Sequence, residues 1–338
     1  MKRSGKTVGQ LIVVVLFVAV TLVPARLAFA ADADKKLEIL RQEVASIAKT
    51  IHGDVGASVA ILGENPIPLI NGDKRFPFMS TVKTLVAIQA LKRVEEGKFS
   101  LDQQITILPE DLTVMTPINM TFPEGPTTTT LYNLIWTAIV DSDNTAPGVL
   151  MRIMDGPKGV EKFWNSQGVK ELSIDHNLRD LFIFAYGLDN NQQVKDLMRQ
   201  KEKEPGGMWA FFESPLNPNP LKTSTVDRIA PNEMVRALSK FLSGEILDKK
   251  RTDVLVSIME QTRTGARRIK GMLPPGTVVG HKTGTGHNYI HDTGFVRLPD
   301  GRVMVIAIYT DSVDPGAMRE SVIAQIARSA YDYMLYAK

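Results

Sequence analysis

Cysteine is absent from all 338 residues of the sequence. Its absence excludes disulfide bonds, thiol nucleophiles and a lipid anchor on cysteine. A strong excess of either charge is also missing, because 40 lysines and arginines stand against 37 aspartates and glutamates. We therefore expect neither nucleic acid nor a membrane surface as a partner.

Long apolar runs are missing apart from one near the amino terminus. The run from Leu11 to Val23 follows three cations among the first six residues and is stopped by Pro24. It is shorter than the roughly 20 apolar residues that a membrane span needs. Ala28-Phe29-Ala30 has the small-x-small pattern of a cleavage site.

These features predict a signal peptide over residues 1–30, cleaved after Ala30, and a periplasmic or secreted protein with no stable membrane anchor. The segment carries four cations and no acidic residue, while the whole chain has a formal charge of +3. The mature chain is therefore expected to be close to neutral.

Hydrophobic patterns predict strands at both ends of the mature chain and helices between them. A helix over Lys35 to Ile51 is followed by strand patterns, and three more strand patterns lie between Gly276 and Tyr309 before a closing helix. This order predicts an α+β fold, an α/β sandwich with one antiparallel sheet built from both chain ends. We expect one domain over 31–338, with a sheet lobe at about 31–78 and 262–338 and an inserted helical lobe at about 79–261.

A candidate nucleophile lies at the start of the predicted helical lobe. Pro77 prevents helix just before Ser80, and an apolar helix pattern runs from Thr84 to Arg93. Ser80 is therefore expected at a helix N-terminus, where free N–H groups favour negative charge, and Lys83 on the same helical face. A serine at this place is by itself more often a simple helix cap than a nucleophile.

A second Ser-x-x-Lys pattern serves as an internal control. Ser46 and Lys49 lie within the helix pattern of residues 35–51, so Ser46 is predicted to be in mid-helix without free N-terminal amides beside it. Only Ser80 has the context that a nucleophile requires.

Two further motifs follow Ser80-x-x-Lys83, namely Ser142-Asp143-Asn144 in a turn between two helix patterns and Lys282-Thr283-Gly284 near the end of a strand pattern. Together, and in this order, they resemble the motif set of class A β-lactamases within the penicillin-recognising serine hydrolases. The resemblance covers nearly all of the chain after Lys35, and His281 before Lys282 is similar to the extended-spectrum branch of the PER and VEB enzymes.

The resemblance implies hydrolysis of the β-lactam amide through a serine acyl-enzyme, with no cofactor and no metal. Ser80 would be the nucleophile, Lys83 its base and Ser142 a proton relay. The substrate would be held by Asn144, Asn217, Lys282, Thr283, Gly284 and Thr285, and the Thr285 N–H would complete the oxyanion hole. A monomer is expected by the same analogy. Alone, Ser142 and Asn144 would be ordinary turn residues and Lys282 an ordinary edge-strand charge.

The chain departs from the family in the loop that carries the deacylating carboxylate. Collinear counting from Gly156-Pro157 places that position near Leu178, which cannot act as a base. Glu213 to Asn217 has the family's Glu-x-x-Leu-Asn spacing, so Glu213 is predicted to be the base and 179–212 an insertion before the loop. The alternative is that Glu213 is a solvated loop residue.

Three histidines, His281, His287 and His291, are interpreted as strand and loop residues without ligand geometry. Two other functions remain open at this point. One is a peptidase that acts on D-Ala-D-Ala peptides, and the other is a penicillin-binding sensor that is acylated without turnover.

Overall fold

The computed structural model describes residues 34–113, 116–123 and 125–336, without the side chain of Trp209. The predicted signal peptide lies outside the described residues. Within them, no helix is both long enough and apolar enough to cross a membrane.

The strands of the main sheet come from the two ends of the chain, and most of the helices lie between them in sequence. The helices are α1 (34–48), α2 (Val82–Glu95), α3 (Pro117–Thr121), α4 (Leu131–Val140), α5 (Thr145–Arg152), α6 (Gly156–Ser166), α7 (Leu178–Tyr186), α8 (Asn191–Lys203), α9 (Gly207–Glu213), α10 (Pro220–Thr223), α11 (Pro231–Leu242), α12 (Lys249–Glu260) and α13 (Gly316–Tyr336). The strands are β1 (Gly53–Ile61), β2 (Ile67–Ile70), β3 (Phe76–Pro77), β4 (Gln104–Ile107), β5 (Thr127–Thr130), β6 (Leu172–Ser173), β7 (Arg228–Ile229), β8 (Val279–Gly286), β9 (Tyr289–Arg297) and β10 (Val303–Ser312).

The main sheet joins both ends of the chain. Its strand order is β2-β1-β10-β9-β8, and every neighbouring pair is antiparallel. The first strand pairs with the last over its whole length, from Gly53 opposite Ser312 to Ile61 opposite Met304. The predicted α+β class is confirmed.

Two apolar cores lie on opposite faces of this sheet. One holds α1 and α13 against the strands, with Val44 and Ile326 at its centre. The other contains α2, of which 11 of 14 residues are buried. A helix that is buried on all sides lies in the middle of a protein rather than on its surface. Ser80 is therefore attached to the most enclosed helix of the fold.

Several local boundaries differ from the sequence predictions. The first helix ends at residue 48 instead of Ile51. Strand β8 continues to Gly286, so Lys282-Thr283-Gly284 lies inside the strand rather than near its end. Strand β9 begins at Tyr289 instead of the predicted Gly294, because His287, with φ of 38°, forms the turn of a hairpin with β8 that was not predicted.

The segment from α7 to α10 forms a long loop whose two ends are tied together. The Asp227 carboxylate accepts hydrogen bonds from the Asp175 amide at 2.9 Å and the His176 amide at 3.0 Å. His176 Nδ1 lies 2.6 Å from the same carboxylate. Within the loop, Val194 and Met198 form the centre of a small apolar core of its own.

Candidate active site

Ser80 lies in a short 3-10 turn, Met79–Thr81, that leads directly into α2. Met79, just before it, has φ of 49°, a left-handed conformation that is unusual for a residue with a side chain. Strand β8 passes close by because Gly284 has no Cβ, which would lie 3.0 Å from Met79 Cβ and 3.1 Å from the Phe78 oxygen. Serine, turn and strand are therefore held together tightly.

Lys83 lies one turn further along and is completely buried. Its Nζ donates to Asn144 Oδ1 at 2.6 Å and to Ser142 O and Oγ at 2.7 Å and 3.2 Å. Burial lowers the pKa of Lys83 to about 7, although the nearby charge of Asp143 acts in the opposite direction. At neutral pH a large fraction of this amine is unprotonated and able to accept a proton.

A second buried amine reaches the same hydroxyl from the opposite side. Lys282 Nζ donates to Ser142 Oγ at 2.9 Å and to the Thr283 oxygen at 2.9 Å. Burial, and then the charge of Lys83, lower the pKa of Lys282 well below its usual range. Ser142 Oγ thus links two amines that belong to residues far apart in the chain.

The turn that presents Ser142 is held by Asp143. Ser142 has φ of 59°, and the buried Asp143 carboxylate accepts from the Ala146 and Ile118 amides at 2.8 Å and 2.9 Å. Satisfying a buried carboxylate in this way fixes the turn despite its backbone strain.

Strand β8 forms the other wall. It is an edge strand, so one row of its backbone groups is not used by the sheet and faces the turn of Ser80. Thr283 Oγ1 lies 2.7 Å from Thr264 Oγ1, and Thr285 Oγ1 accepts from Arg268 at 2.8 Å. Thr264 and Arg268 were not predicted, because no local motif in the sequence marks them.

These groups border a cavity of about 300 Å³. Of the predicted site residues, its lining includes Ser80, Ser142, Asn144, Thr283 and Thr285. The structure therefore brings the three motifs to one place, around one serine.

Glu213 and Asn217 are not brought there. The Glu213 carboxylate accepts from the Gly316 amide at 2.8 Å and lies 3.7 Å from Arg319 Nη2, at the start of α13. Asn217 is exposed and borders a different cavity. Because the carboxylate of Glu213 is engaged at α13, the geometry does not support the predictions of a base at Glu213 and a substrate contact at Asn217.

Leu178, the collinear alternative, does line the cavity together with Ser80 and Asn144. It is the first residue of α7, directly after the point where Asp227 holds residues 175 and 176. Residues 179–212, which the sequence predicts to be an insertion, follow this cavity-facing residue in the chain.

The three histidines have separate surroundings. His281 is fully buried with its Nδ1 2.8 Å from Asp292 Oδ1. His291 accepts from the Thr310 amide at 3.2 Å, and burial lowers its pKa to about 3. His287 Nδ1 donates to the Ser214 oxygen at 2.9 Å, and its Nε2 accepts from the Tyr186 hydroxyl at 3.1 Å.

Comparison with known proteins agrees with this arrangement. A model of the β-lactamase enzyme family matches residues 39–334. The β-lactamase VEB-1 of Pseudomonas aeruginosa is 29% identical over 305 residues, which cover 88% of this chain and 90% of that protein. The extended-spectrum β-lactamase PER-1 of the same organism is 27% identical, with 88% of each chain covered.

Solved structures also resemble the chain. A β-lactamase from Chitinophaga pinensis superposes with a TM-score of 0.71 at 30% identity, over 87% of this chain and 99% of the other. The resemblance predicted from the motifs is confirmed. With its family match, its fold and its serine-centred cluster, the chain belongs to the β-lactamase enzyme family, among the class A enzymes.

Proposed function

We propose that the protein opens β-lactam rings by acyl transfer to Ser80 and then hydrolyses the ester. Ser80 Oγ attacks the lactam carbonyl carbon while the unprotonated Lys83 takes its proton. The C–N bond breaks, and the proton returns through Ser142 Oγ to the leaving nitrogen. Water then cleaves the ester and restores the serine hydroxyl.

The remaining groups stabilise charge. The N–H groups of Ser80 and Thr285 would bind the developing oxyanion, as the family resemblance implies. Lys282, Thr283 and Asn144 would contact the substrate, with the Lys282 amine near its carboxylate. This reaction requires neither a cofactor nor a metal.

One observation carries the proposal: two buried amines share the hydroxyl of Ser142 within 3.2 Å. Burying two basic groups side by side is costly unless at least one gives up its charge. A pair of this kind is suited to moving a proton, and a merely structural turn would not need it.

A second function, acylation with little or no turnover, is supported by the position of Leu178. Hydrolysis of an acyl-serine needs a water activated by a base within hydrogen-bond reach. At the cavity position where the family register places that base, this chain has an apolar side chain, and the Glu213 carboxylate is bound at α13.

A mass spectrum recorded minutes after mixing with a penicillin tests both functions. Free protein with consumed drug indicates hydrolysis, and a persistent adduct indicates the sensor function. Ser80→Ala should abolish the adduct and drug consumption, while Ser46→Ala, the matched control in α1, should change neither. An adduct that survives Ser80→Ala would overturn the assignment of the nucleophile.

We further propose export with cleavage after Ala30, and action as a monomer. Sequencing the amino terminus of the secreted protein tests the first statement. Light scattering of the purified protein tests the second, since a doubled mass would contradict it.

A further inference from the structure

The wall of the cavity opposite the catalytic motifs is apolar and is built by the inserted loop. Leu178, Leu181, Phe182 and Ala185 of α7 all line it. They occupy positions i, i+3, i+4 and i+7, which is one face of a helix. An entire helical stripe is thus turned toward the serine.

Side chains from the rest of the loop complete this wall. Met198 of α8, Phe212 of α9 and Leu216 line the same cavity. Phe182 stacks on Tyr186, which also lines the cavity, with ring centroids 6.1 Å apart, and both rings pack against the loop's own core. An apolar surface next to a nucleophile contacts either water or the group that is attached to the nucleophile. Contact with water is unfavourable, so an apolar group on the attached substrate is stabilised there.

The loop is anchored to the sheet as well as closed at its neck. The Leu216 amide donates to Asn288 Oδ1 at 3.1 Å, and Asn219 Nδ2 donates to the Tyr289 hydroxyl at 3.2 Å. His287, in the β8–β9 turn, joins α7 to the Ser214 carbonyl. The cavity is therefore formed before a ligand arrives.

The wall offers no charge to a ligand. No aspartate or glutamate is found in the lining among the residues that the structure describes. Burial lowers the pKa of His287 and raises that of Tyr289 to about 12, so both side chains are neutral at pH 7. A charged group placed against this wall would lose its hydration without gaining a partner.

We propose that this wall is a subsite for the acyl half of the substrate, and that it selects acyl donors with a large, uncharged, apolar substituent such as an aryl or a linear alkyl group. The inference rests on the proposed acylation of Ser80. It adds a substrate class that the three catalytic motifs do not specify.

The test uses penicillins that share one nucleus and differ only in the acyl side chain. The second-order rate constant of acylation is measured from acetyl through hexanoyl to octanoyl, and divided by the alkaline hydrolysis rate of each compound to remove differences in intrinsic reactivity. We expect an increase of roughly fourfold per methylene until the cavity is filled. A phenylacetyl penicillin should react at least about tenfold faster than its α-ammonium or α-carboxylate analogue.

Phe182→Ala should lower the octanoyl-to-acetyl ratio, and the milder Phe182→Leu should lower it less. Leu197→Ala, on α8 next to Met198 but outside both the cavity lining and the loop's core, should leave the ratio unchanged. A flat series in the wild-type protein, or equal ratios in all variants, would overturn the subsite while leaving the proposed function intact. Failure of every compound to acylate Ser80 would overturn the proposed function, and the subsite with it.

Discussion

At the scale of single residues, the site depends on one hydroxyl that two amines share. Lys83 and Lys282 both donate to Ser142 Oγ. Burial lowers the pKa of both amines, and the charge of Lys83 lowers that of Lys282 further. Ser142 holds this position in a left-handed conformation that costs on the order of 1–3 kcal/mol. This strained conformation persists because the surrounding contacts, here those of Asp143, hold the backbone in it.

The pH dependence of acylation should report Lys83. Its pKa is lowered to about 7 by burial, and only the unprotonated amine can accept the serine proton. With a neutral ester as substrate, kcat/KM for acylation should therefore rise about tenfold per pH unit below 7 and level off above it. A profile that continues to rise beyond pH 9 would show an ordinary lysine pKa and contradict this role.

Leu178 is the position at which a carboxylate should speed the second step. It is the first residue of α7, where the helix dipole favours negative charge, and it lines the cavity with Ser80. Leu178→Glu should raise the rate of adduct hydrolysis by about 10²-fold, the lower end of the range for a general base. Mass spectra of the decaying adduct measure this rate.

Leu178→Gln is the matched control, because it has the same shape as the glutamate and no basic carboxylate. Equal decay in the two variants would mean that a carboxylate at this position does not reach the hydrolytic water.

At the scale of elements, sequence patterns were informative where they described local geometry. The apolar run after Ser80 predicted a helix, and helix geometry alone places Lys83 one turn away. That Ser142 and Lys282 meet, 140 residues apart in the chain, cannot be derived from either segment. The family resemblance supplied that contact.

The prediction for Glu213 shows where such patterns stop being informative. Glu-x-x-Leu-Asn is a local pattern, but Glu213 is the last residue of α9 and its carboxylate binds Gly316, 103 residues later. The direction of that side chain depends on a tertiary contact that no local spacing encodes. The same holds for β8, whose extension to Gly286 depends on its pairing with β9.

Glu213 is expected to stabilise the start of α13 instead. It accepts from the first amide of that helix, one of the donors that a helix leaves unpaired, and lies near the buried Arg319. Glu213→Gln should lower the free energy of unfolding by about 0.5–1 kcal/mol, as for other charges at helix ends. Urea denaturation measures this change.

Glu202→Gln, at an exposed position of α8, should change stability by less than about 0.5 kcal/mol. Turnover should be the same in both variants and the wild-type protein. If Glu213→Gln acylates normally but accumulates adduct, Glu213 is the deacylating base, as the sequence spacing predicts.

At the scale of the whole molecule, the site lies where the sheet and the helices meet. Ser80 and Lys83 belong to the helical core, and Lys282 belongs to the edge strand β8. On the neighbouring strand β9, the Asp292 carboxylate accepts a hydrogen bond from the Ile269 amide. The chain is nearly balanced in charge, with 40 basic and 37 acidic residues, so it has little overall field with which to attract an anion. Recognition of an anionic substrate is therefore expected to be local.

Lys282 should supply that local recognition. Lys282→Ala should slow acylation more for a substrate with a carboxylate than for a neutral ester of the same size. A bound carboxylate favours the protonated form of the Lys282 amine, and only that substrate loses the resulting ion pair. Paired rate constants for the two substrates measure the selectivity.

Lys270→Ala is the control and should leave the selectivity unchanged. Lys270 is a half-buried lysine whose amine lies 3.5 Å from the Thr262 oxygen. If Lys282→Ala impairs both substrates equally, Lys282 acts by holding Ser142 rather than by binding the anion. If Lys282 binds the anion, wild-type rates should depend only weakly on salt, since a buried pair is screened far less than surface charges.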